Sequence, residues 1–257
     1  MGTVLITGAT EGIGFELSKQ FAADGYHLVL LARNMERLQQ RQQELQDQFQ
    51  VSVDVLSMDL ANPDEPEKIE KELKERQIQI DVLVNNAGFG QLGKFHEIDL
   101  KTWLEMIQVN ISALTELTWR LLPGMLARGE GKILNVASTA AFQPGPLQSV
   151  YYASKAYVLL FSEGIANELK GSGVQVSVLC PGPTSTRFQE RAGMGNIWLM
   201  KGWVMSAEKV AIIGYRNFKK GKRVIIPGII NKLIVQSNRL SPRAFSTAVV
   251  RMLQEQR

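Results

Sequence analysis

The chain has 257 residues, 45% hydrophobic and 21% charged, with one cysteine and two histidines. Those proportions suit one large α/β domain or two small ones and exclude a disordered or fibrous chain. A lone Cys180 excludes a disulfide framework and a cysteine-cluster zinc site, and His27 and His96 offer too little for a metal centre, so no metal is expected.

The formal net charge of +4 is unevenly divided. Residues 209–257 hold eleven Lys and Arg against one acid, Glu255, for +10, and the preceding residues carry −6. Such a basic end fits a solvated face, a docking patch for an acidic partner, or a membrane-surface contact. No basic leader precedes the first apolar run, and no stretch reaches the roughly 18 apolar residues of a membrane span. The closest, Val224 to Val235, is interrupted by Pro227, Gly228, Asn231 and Lys232. A cytoplasmic location is the expectation.

In chain order, the pattern predicts a strand at Thr3–Thr7, a glycine-rich turn and a helix at Gly14–Ala23. Strand His27–Ala32, helix Met35–Phe49, strand Val51–Ser57, helix Glu65–Arg76 and strand Val82–Asn85 follow. A long helix Leu100–Ala127 leads to strand Lys132–Ala137, helix Val150–Leu169, strand Val174–Leu179, helix Ala207–Phe218 and strand Arg223–Ile226. The strand runs are almost wholly apolar, as strands buried on both faces are. Alternation of strand and helix implies parallel strands with right-handed crossovers, hence a doubly wound, Rossmann-like parallel sheet with helices on both faces. Residues 1–227 read as this single domain and 228–257 as a basic C-terminal helical extension. The stretch from Thr184 to Met205 holds no convincing strand.

The turn Gly8-x3-Gly12-x-Gly14 lies where the first strand meets the first helix, and its backbone amides suit a pyrophosphate at the positive helix end. Within that loop Glu11 introduces an acid that crowds a phosphate. The second strand ends at Arg33, where an acid would serve the ribose hydroxyls of NAD; an arginine suits the 2′-phosphate of NADP(H), unless it is simply exposed at a helix start. Asp59, after the third strand, can accept from an adenine amine or stabilise a turn. Tyr151 and Lys155 stand four apart at the start of a helix and share one face. A tyrosine, ordinarily with a pKa near 10, becomes a usable acid/base when a neighbouring ammonium stabilises its phenolate. Ser138 ends the fifth strand candidate, where such a sheet presents side chains to its ligand crevice. Tyr152 lacks the partner, since its i+4 residue is Ala156.

With these pieces in place, the chain resembles the short-chain dehydrogenase/reductase family over roughly Thr3 to Ile226. The resemblance rests on Thr7-Gly8-Ala9-Thr10-Glu11-Gly12-Ile13-Gly14, Asp59, Asn85-Asn86-Ala87-Gly88, Asn110, Ser138, Tyr151-Tyr152-Ala153-Ser154-Lys155 and Pro181-Gly182-Pro183-Thr184-Ser185-Thr186. It implies that Tyr151 is the catalytic acid/base, that Lys155 lowers its pKa and holds the nicotinamide ribose, and that Ser138 polarises the substrate carbonyl. Asn110 would hold a bent helix and a water linked to Lys155. The glycine loop with Thr10, Glu11 and Ile13, together with Asn86, Ala87 and Gly88 on the adenosine side, would hold NADP(H). The Pro181–Thr186 loop, with Gly182 and Thr184, would cover the nicotinamide. A less sharp likeness, in Pro181–Thr184, Pro227–Leu233 and Ser241–Arg243, is to a broad bacterial-type reductase branch.

Substrate choice in this family lies largely after the nicotinamide loop, here about 184–205. Phe188, Met194, Ile197, Trp198, Leu199, Met200, Trp203, Val204 and Met205 would either wall an apolar pocket or pack on the domain. The expected function is an NADPH-dependent interconversion of carbonyl and alcohol on a lipophilic ketone, aldehyde or acyl substrate. The alternatives are an NADP-linked alcohol dehydrogenase working oxidatively and a non-catalytic cofactor-binding scaffold or sensor. The basic segment from Gly228 to Arg257 is read as a helix pair over the pocket or a subunit interface, as a peripheral membrane contact, or as a dock for an acyl carrier protein. The resemblance also implies a homodimer or homotetramer through the helices at Leu100–Ala127 and Val150–Leu169. No reading motif supports nucleic-acid binding.

Overall fold

Alternate residues of each central strand point to opposite sides of one sheet, so apolar side chains pack into a core on each side. In the computed structural model, which describes residues 2–188, 192–193 and 204–255, Val4, Ile6, Leu28, Leu30, Val82 and Val84 face one core. Leu5, Val29, Leu31 and Leu83, their immediate neighbours in the chain, face the other. This period of two explains why the strand runs carry so few polar residues.

The strands are β1 (Thr3–Thr7), β2 (His27–Ala32), β3 (Val53–Ser57), β4 (Val82–Asn85), β5 (Gly131–Val136) and β6 (Val174–Leu179). Short β7 (Thr184–Ser185) and β8 (Met205–Ser206) pair with each other in parallel, and β9 (Val224–Ile225) adds to β6. The main sheet is parallel, with seven strands in the order β3-β2-β1-β4-β5-β6-β9. Helices α1 (Gly12–Ala23), α2 (Met35–Phe49), α3 (Glu65–Glu75), α4 (Leu100–Ile107), α5 (Ala113–Arg128) and α6 (Ser149–Glu168) connect them, followed by α7 (Ala207–Lys219), α8 (Ile229–Leu240) and α9 (Arg243–Gln254). Phe21 of α1 and Phe218 of α7 fill the first core; Ile69 of α3 with Leu117 and Met125 of α5 fill the second. The fold is thus the doubly wound parallel sheet expected from the alternation.

Several boundaries depart from expectation; α1 begins two residues early at Gly12, and β9 shortens to Val224–Ile225. The helix expected across Leu100–Ala127 is interrupted by a π-helical turn at Gln108–Ser112, between α4 and α5. Its buried Asn110 donates to the Phe89 carbonyl and to the Ser154 hydroxyl, both at 3.0 Å, and accepts from the Phe89 amide at 3.1 Å. Those long-range bonds explain an inserted residue where the chain could have continued as α-helix. Strand β3 starts two residues later than Val51, after Gln50 closes α2 in the left-handed region at φ 55°. Between Thr184 and Met205, where no strand is expected, the two-residue pair β7–β8 forms.

The strand order places its switch between β1 and β4, where ligands bind beyond the carboxyl ends of the strands. Asn86 pins this point by donating to the Thr7 carbonyl at 2.9 Å and the Gly8 carbonyl at 3.1 Å. A Cβ on Gly14 would stand 2.3 Å from the Gly8 oxygen and 2.4 Å from the Asn86 amide nitrogen. That glycine is therefore demanded by packing inside the loop, whatever approaches from outside.

Candidate active site

A cavity of about 970 Å³ runs along the carboxyl edge of the sheet, from the glycine loop to the terminal helices. A smaller polar hollow of about 720 Å³, lined by Thr3, His27, Asp54 and Arg76, lies at the opposite edge, where β1 and β2 begin. Open parallel sheets bind ligands at the carboxyl edge, so the larger cavity is the candidate site.

At one end Gly8, Thr10, Glu11, Gly12 and Ile13 form the turn into α1. Gly8 and Gly12 sit at φ 66° and 58°, which a side chain would strain. The first turn of α1 presents unbonded amides and the positive end of the helix to this wall. Arg33 is largely exposed at the end of β2, 3.9 Å from Asp59. Asp59 also accepts from the Ala61 amide at 3.1 Å, so it stabilises a turn at the same time. In the first turn of α2, Arg37 reaches the same wall and contacts Glu11 at 3.4 Å, and Arg187 lies 3.9 Å from the same Glu11 oxygen. Glu11 is thus held among cations, which offset its charge in this loop. Arg37 is not among the residues the sequence singles out, and Arg33 precedes the helix, so no helical spacing links the two.

The catalytic candidates converge on the middle of the cavity. Ser138, after β5, accepts from the Ala140 amide at 3.1 Å and hydrogen-bonds with Tyr151. Tyr151 retains some exposed surface and packs at 5.5 Å between ring centres against Phe188. Burial pushes its phenol well up from the ordinary range, and the Ser138 bond opposes that rise only in part. Lys155 is buried, and its amine donates to the Val136 carbonyl at 2.9 Å. Loss of solvent lowers it to about 8, with no carboxylate among the described residues to hold the charge. Two of its three N–H donors remain, and Gly88 leaves room for them: a Cβ there would come within 3.2 Å of the nitrogen. Asn110 lies behind this group with its amide fully engaged by Phe89 and Ser154.

Tyr152 points elsewhere. Its hydroxyl accepts from Gln254 of α9 at 2.6 Å, and burial raises its phenol to about 12. Ala87, Gly88, Pro181, Gly182, Thr184 and Thr186 line the cavity as expected. The far wall was not legible in the sequence at residue level. Ile230, Ile234, Phe245, Val249, Val250 and Leu253 of α8 and α9 form it, together with Gln143 and Gln148. Gly182 permits this closure, because a Cβ would come within 2.4 Å of the buried Asn231 side chain of α8. The inner side of the basic C-terminal segment therefore closes the pocket as a helix pair. Of the segment expected to set substrate choice, Phe188 lines the cavity and Met205 packs on the core. Met194, Ile197, Trp198, Leu199, Met200 and Trp203 lie outside the described residues.

The donor set suits a phosphorylated dinucleotide: a helix end for pyrophosphate, two arginines at the adenosine end, and a buried amine with free donors beside a serine–tyrosine pair. Comparison with known proteins points the same way. Residues 2–195 match the family model described as short chain dehydrogenase. The chain belongs to that family of oxidoreductases. It is 38% identical over 187 residues to a sulfoacetaldehyde reductase of Chromohalobacter salexigens, covering 72% of this chain and 73% of the relative. It is 36% identical over 191 residues to a very-long-chain 3-oxoacyl-CoA reductase of Anas platyrhynchos, covering 72% of this chain but 61% of that longer relative. A short-chain dehydrogenase from Sphingobium yanoikuyae in complex with NADPH superposes with a TM-score of 0.84 at 33% identity, over 93% of this chain and 94% of that one.

Proposed function

We propose that the chain is an NADPH-dependent carbonyl reductase whose substrate is a lipophilic ketone, aldehyde or acyl compound. One observation carries this reading: the Ser138–Tyr151 hydroxyl pair faces a cavity whose far wall is built from Ile230, Ile234, Phe245, Val249 and Leu253. The NADPH complex of the Sphingobium relative and the acyl substrate in the name of the Anas relative support it.

Arg33 and Arg37 bind the 2′-phosphate, the α1 amides and glycine loop hold the pyrophosphate, and the free donors of Lys155 hold the nicotinamide ribose. The bound cofactor supplies the hydride. Ser138 and Tyr151 both donate to the substrate carbonyl oxygen and so stabilise the negative charge that develops there. Tyr151 then transfers its phenolic proton to that oxygen. A phenol kept protonated by burial suits a proton donor in the reductive direction. Asn110 keeps the Phe89 loop and α6 in register, so that Tyr151 and Lys155 hold their places. The oxidative direction uses the same groups in reverse. A scaffold without turnover gives no reason for Ser138, Tyr151 and Lys155 to meet in one cavity.

The test is NADPH oxidation followed by absorbance with three carbonyl classes: a long-chain 3-oxoacyl thioester, a bulky aliphatic ketone, and sulfoacetaldehyde. The expected order of kcat/KM places both lipophilic compounds above sulfoacetaldehyde. A preference for the small anionic aldehyde overturns the substrate class, and no NADPH-dependent turnover with any of them overturns the reductase.

A further inference from the structure

Helices α8 and α9 have two unlike faces. The inner face closes the cavity and is fastened by Gln254, which donates to Tyr152 at 2.6 Å, and by Asn231, which donates to the Pro227 carbonyl at 2.7 Å. The outer face is apolar yet uncovered. Ile229, Leu233 and Leu240 of α8 are 76%, 64% and 90% exposed, and Met252 of α9 is 61% exposed. Spacings of four and seven keep the α8 residues on one stripe. Ile234 and Phe245 belong to both faces, since they line the cavity and are also exposed. The outer apolar surface is therefore continuous with the cavity mouth.

The charges on this surface have one sign. Lys232, Arg239 and Arg243 are exposed, and neither helix contains an acid. Arg251 alone of the four basic residues has an ion-pair partner among the described residues, Glu255 just beyond α9.

We propose that the outer face of α8 and α9 docks on an anionic lipid bilayer, from which a bilayer-resident carbonyl compound enters the cavity; the entry step rests on the carbonyl reduction proposed above. Short amphipathic helices with basic residues beside large apolar ones lie in the headgroup boundary, apolar side down. Anionic headgroups supply the counter-charge that the face lacks. A second copy is a poor occupant, because a two-fold contact would set these unpaired cations against their own images. An acidic protein meets the charges, but it makes no use of an apolar surface that runs into a lipophilic cavity.

The experiment is vesicle flotation of the full chain, using phosphatidylcholine vesicles with and without phosphatidylglycerol. Binding is expected with the mixed vesicles and to weaken as salt rises. Lys232→Gln/Arg239→Gln/Arg243→Gln should lower partitioning by about 100-fold, at about fivefold per neutralised cation. Leu233→Gln/Leu240→Gln/Met252→Gln should also release the chain. Both triple variants should keep NADPH oxidation with a water-soluble ketone, and lose the rate gained when a long-chain ketone is presented in mixed vesicles. Absence of flotation, or flotation that neither variant changes, overturns the proposal. So does capture on an immobilised acidic carrier protein, or self-association abolished by the apolar variant, when flotation is absent. Flotation without any NADPH oxidation would instead retain the docking face and remove the reductase reading.

Discussion

The Lys155 amine lies 5.8 Å from the centre of the Tyr151 ring and donates to the Val136 carbonyl, not to the phenol. Proximity on one helix face does bring the two residues together, as their i,i+4 spacing dictates. The expected depression of the tyrosine pKa is nonetheless absent. Burial dominates and shifts the phenol upward, so Tyr151 stands as a neutral donor beside Ser138.

Tyr151→Phe removes the proton donor and little else. Turnover should fall by about a thousandfold or more, in the range expected for a lost acid catalyst and oxyanion donor together, while NADPH still binds by titration calorimetry. Tyr152→Phe should retain most turnover, since its hydroxyl serves only to receive Gln254 and Gln143. Comparable losses from the two substitutions would refute the division of roles.

Lys155 makes stability depend on pH in a defined sense. Its amine is lowered to about 8 in the folded chain from an ordinary 10.5. Between those values the unfolded chain holds a proton that the folded chain has released, so stability rises with pH. Below about 8 both states are protonated and the cost of the buried charge is constant. Relative to Lys155→Met, the native chain should therefore gain stability across that window, at up to about 1.4 kcal/mol per pH unit. Urea unfolding of both proteins at a series of pH values measures the difference; a flat difference would mean that the amine is solvated.

Arg33 and Arg37 form the only pair of cations from the end of β2 and the first turn of α2 that line the cavity among the described residues. Arg33→Asp should weaken NADPH by about 10- to 100-fold, the worth of a charge-assisted phosphate contact, and improve NADH. Arg37→Ala should weaken NADPH less, because Glu11 already engages that guanidinium. Titration with each dinucleotide separates these outcomes, and an unmoved NADPH affinity in both variants would place phosphate recognition elsewhere.

Much of this architecture was written in short-range pattern. The apolar runs of β1, β2 and β4 and the turn at Gly8–Gly14 determine a parallel sheet with its crevice, because each is decided by neighbours along the chain. Tyr151, Lys155 and Ser138 were legible for the same reason. The π-turn at Asn110 was not, since it depends on Phe89 and Ser154, which are distant in sequence. Nor could periodicity tell that Ile230, Phe245 and Leu253 would turn inward. That choice is made by Asn231 against Gly182 and by Gln254 against Tyr152, contacts that no local pattern announces.

A second apolar surface lies on α4, α5 and α6. Leu104, Trp119 and Leu160 are 57%, 70% and 68% exposed. Thr115 and Tyr157, 2.9 Å apart, join α5 to α6. Exposed apolar patches of this kind mark protein contacts. Leu104→Glu/Leu160→Glu should convert a dimer or tetramer into a monomer, read as mass by light scattering at about micromolar concentration, where a specific interface persists. A native chain already at monomer mass would contradict the expected assembly.

Gln148 sits immediately before α6, 1% exposed, and its amide nitrogen has no hydrogen-bond partner among the described residues. A buried donor left unmet costs about 1–3 kcal/mol, and nothing in the packing requires it, since methionine has nearly the same shape. Gln148→Met should therefore raise stability by about 1 kcal/mol or more in urea unfolding. The residue also lines the cavity three positions before Tyr151. Stability gained at the expense of kcat/KM would mark a polar group maintained for a bound ligand at a cost to the empty fold. Stability gained with unchanged kcat/KM would leave Gln148 as a simple packing defect, and lost stability would show that water already satisfies it.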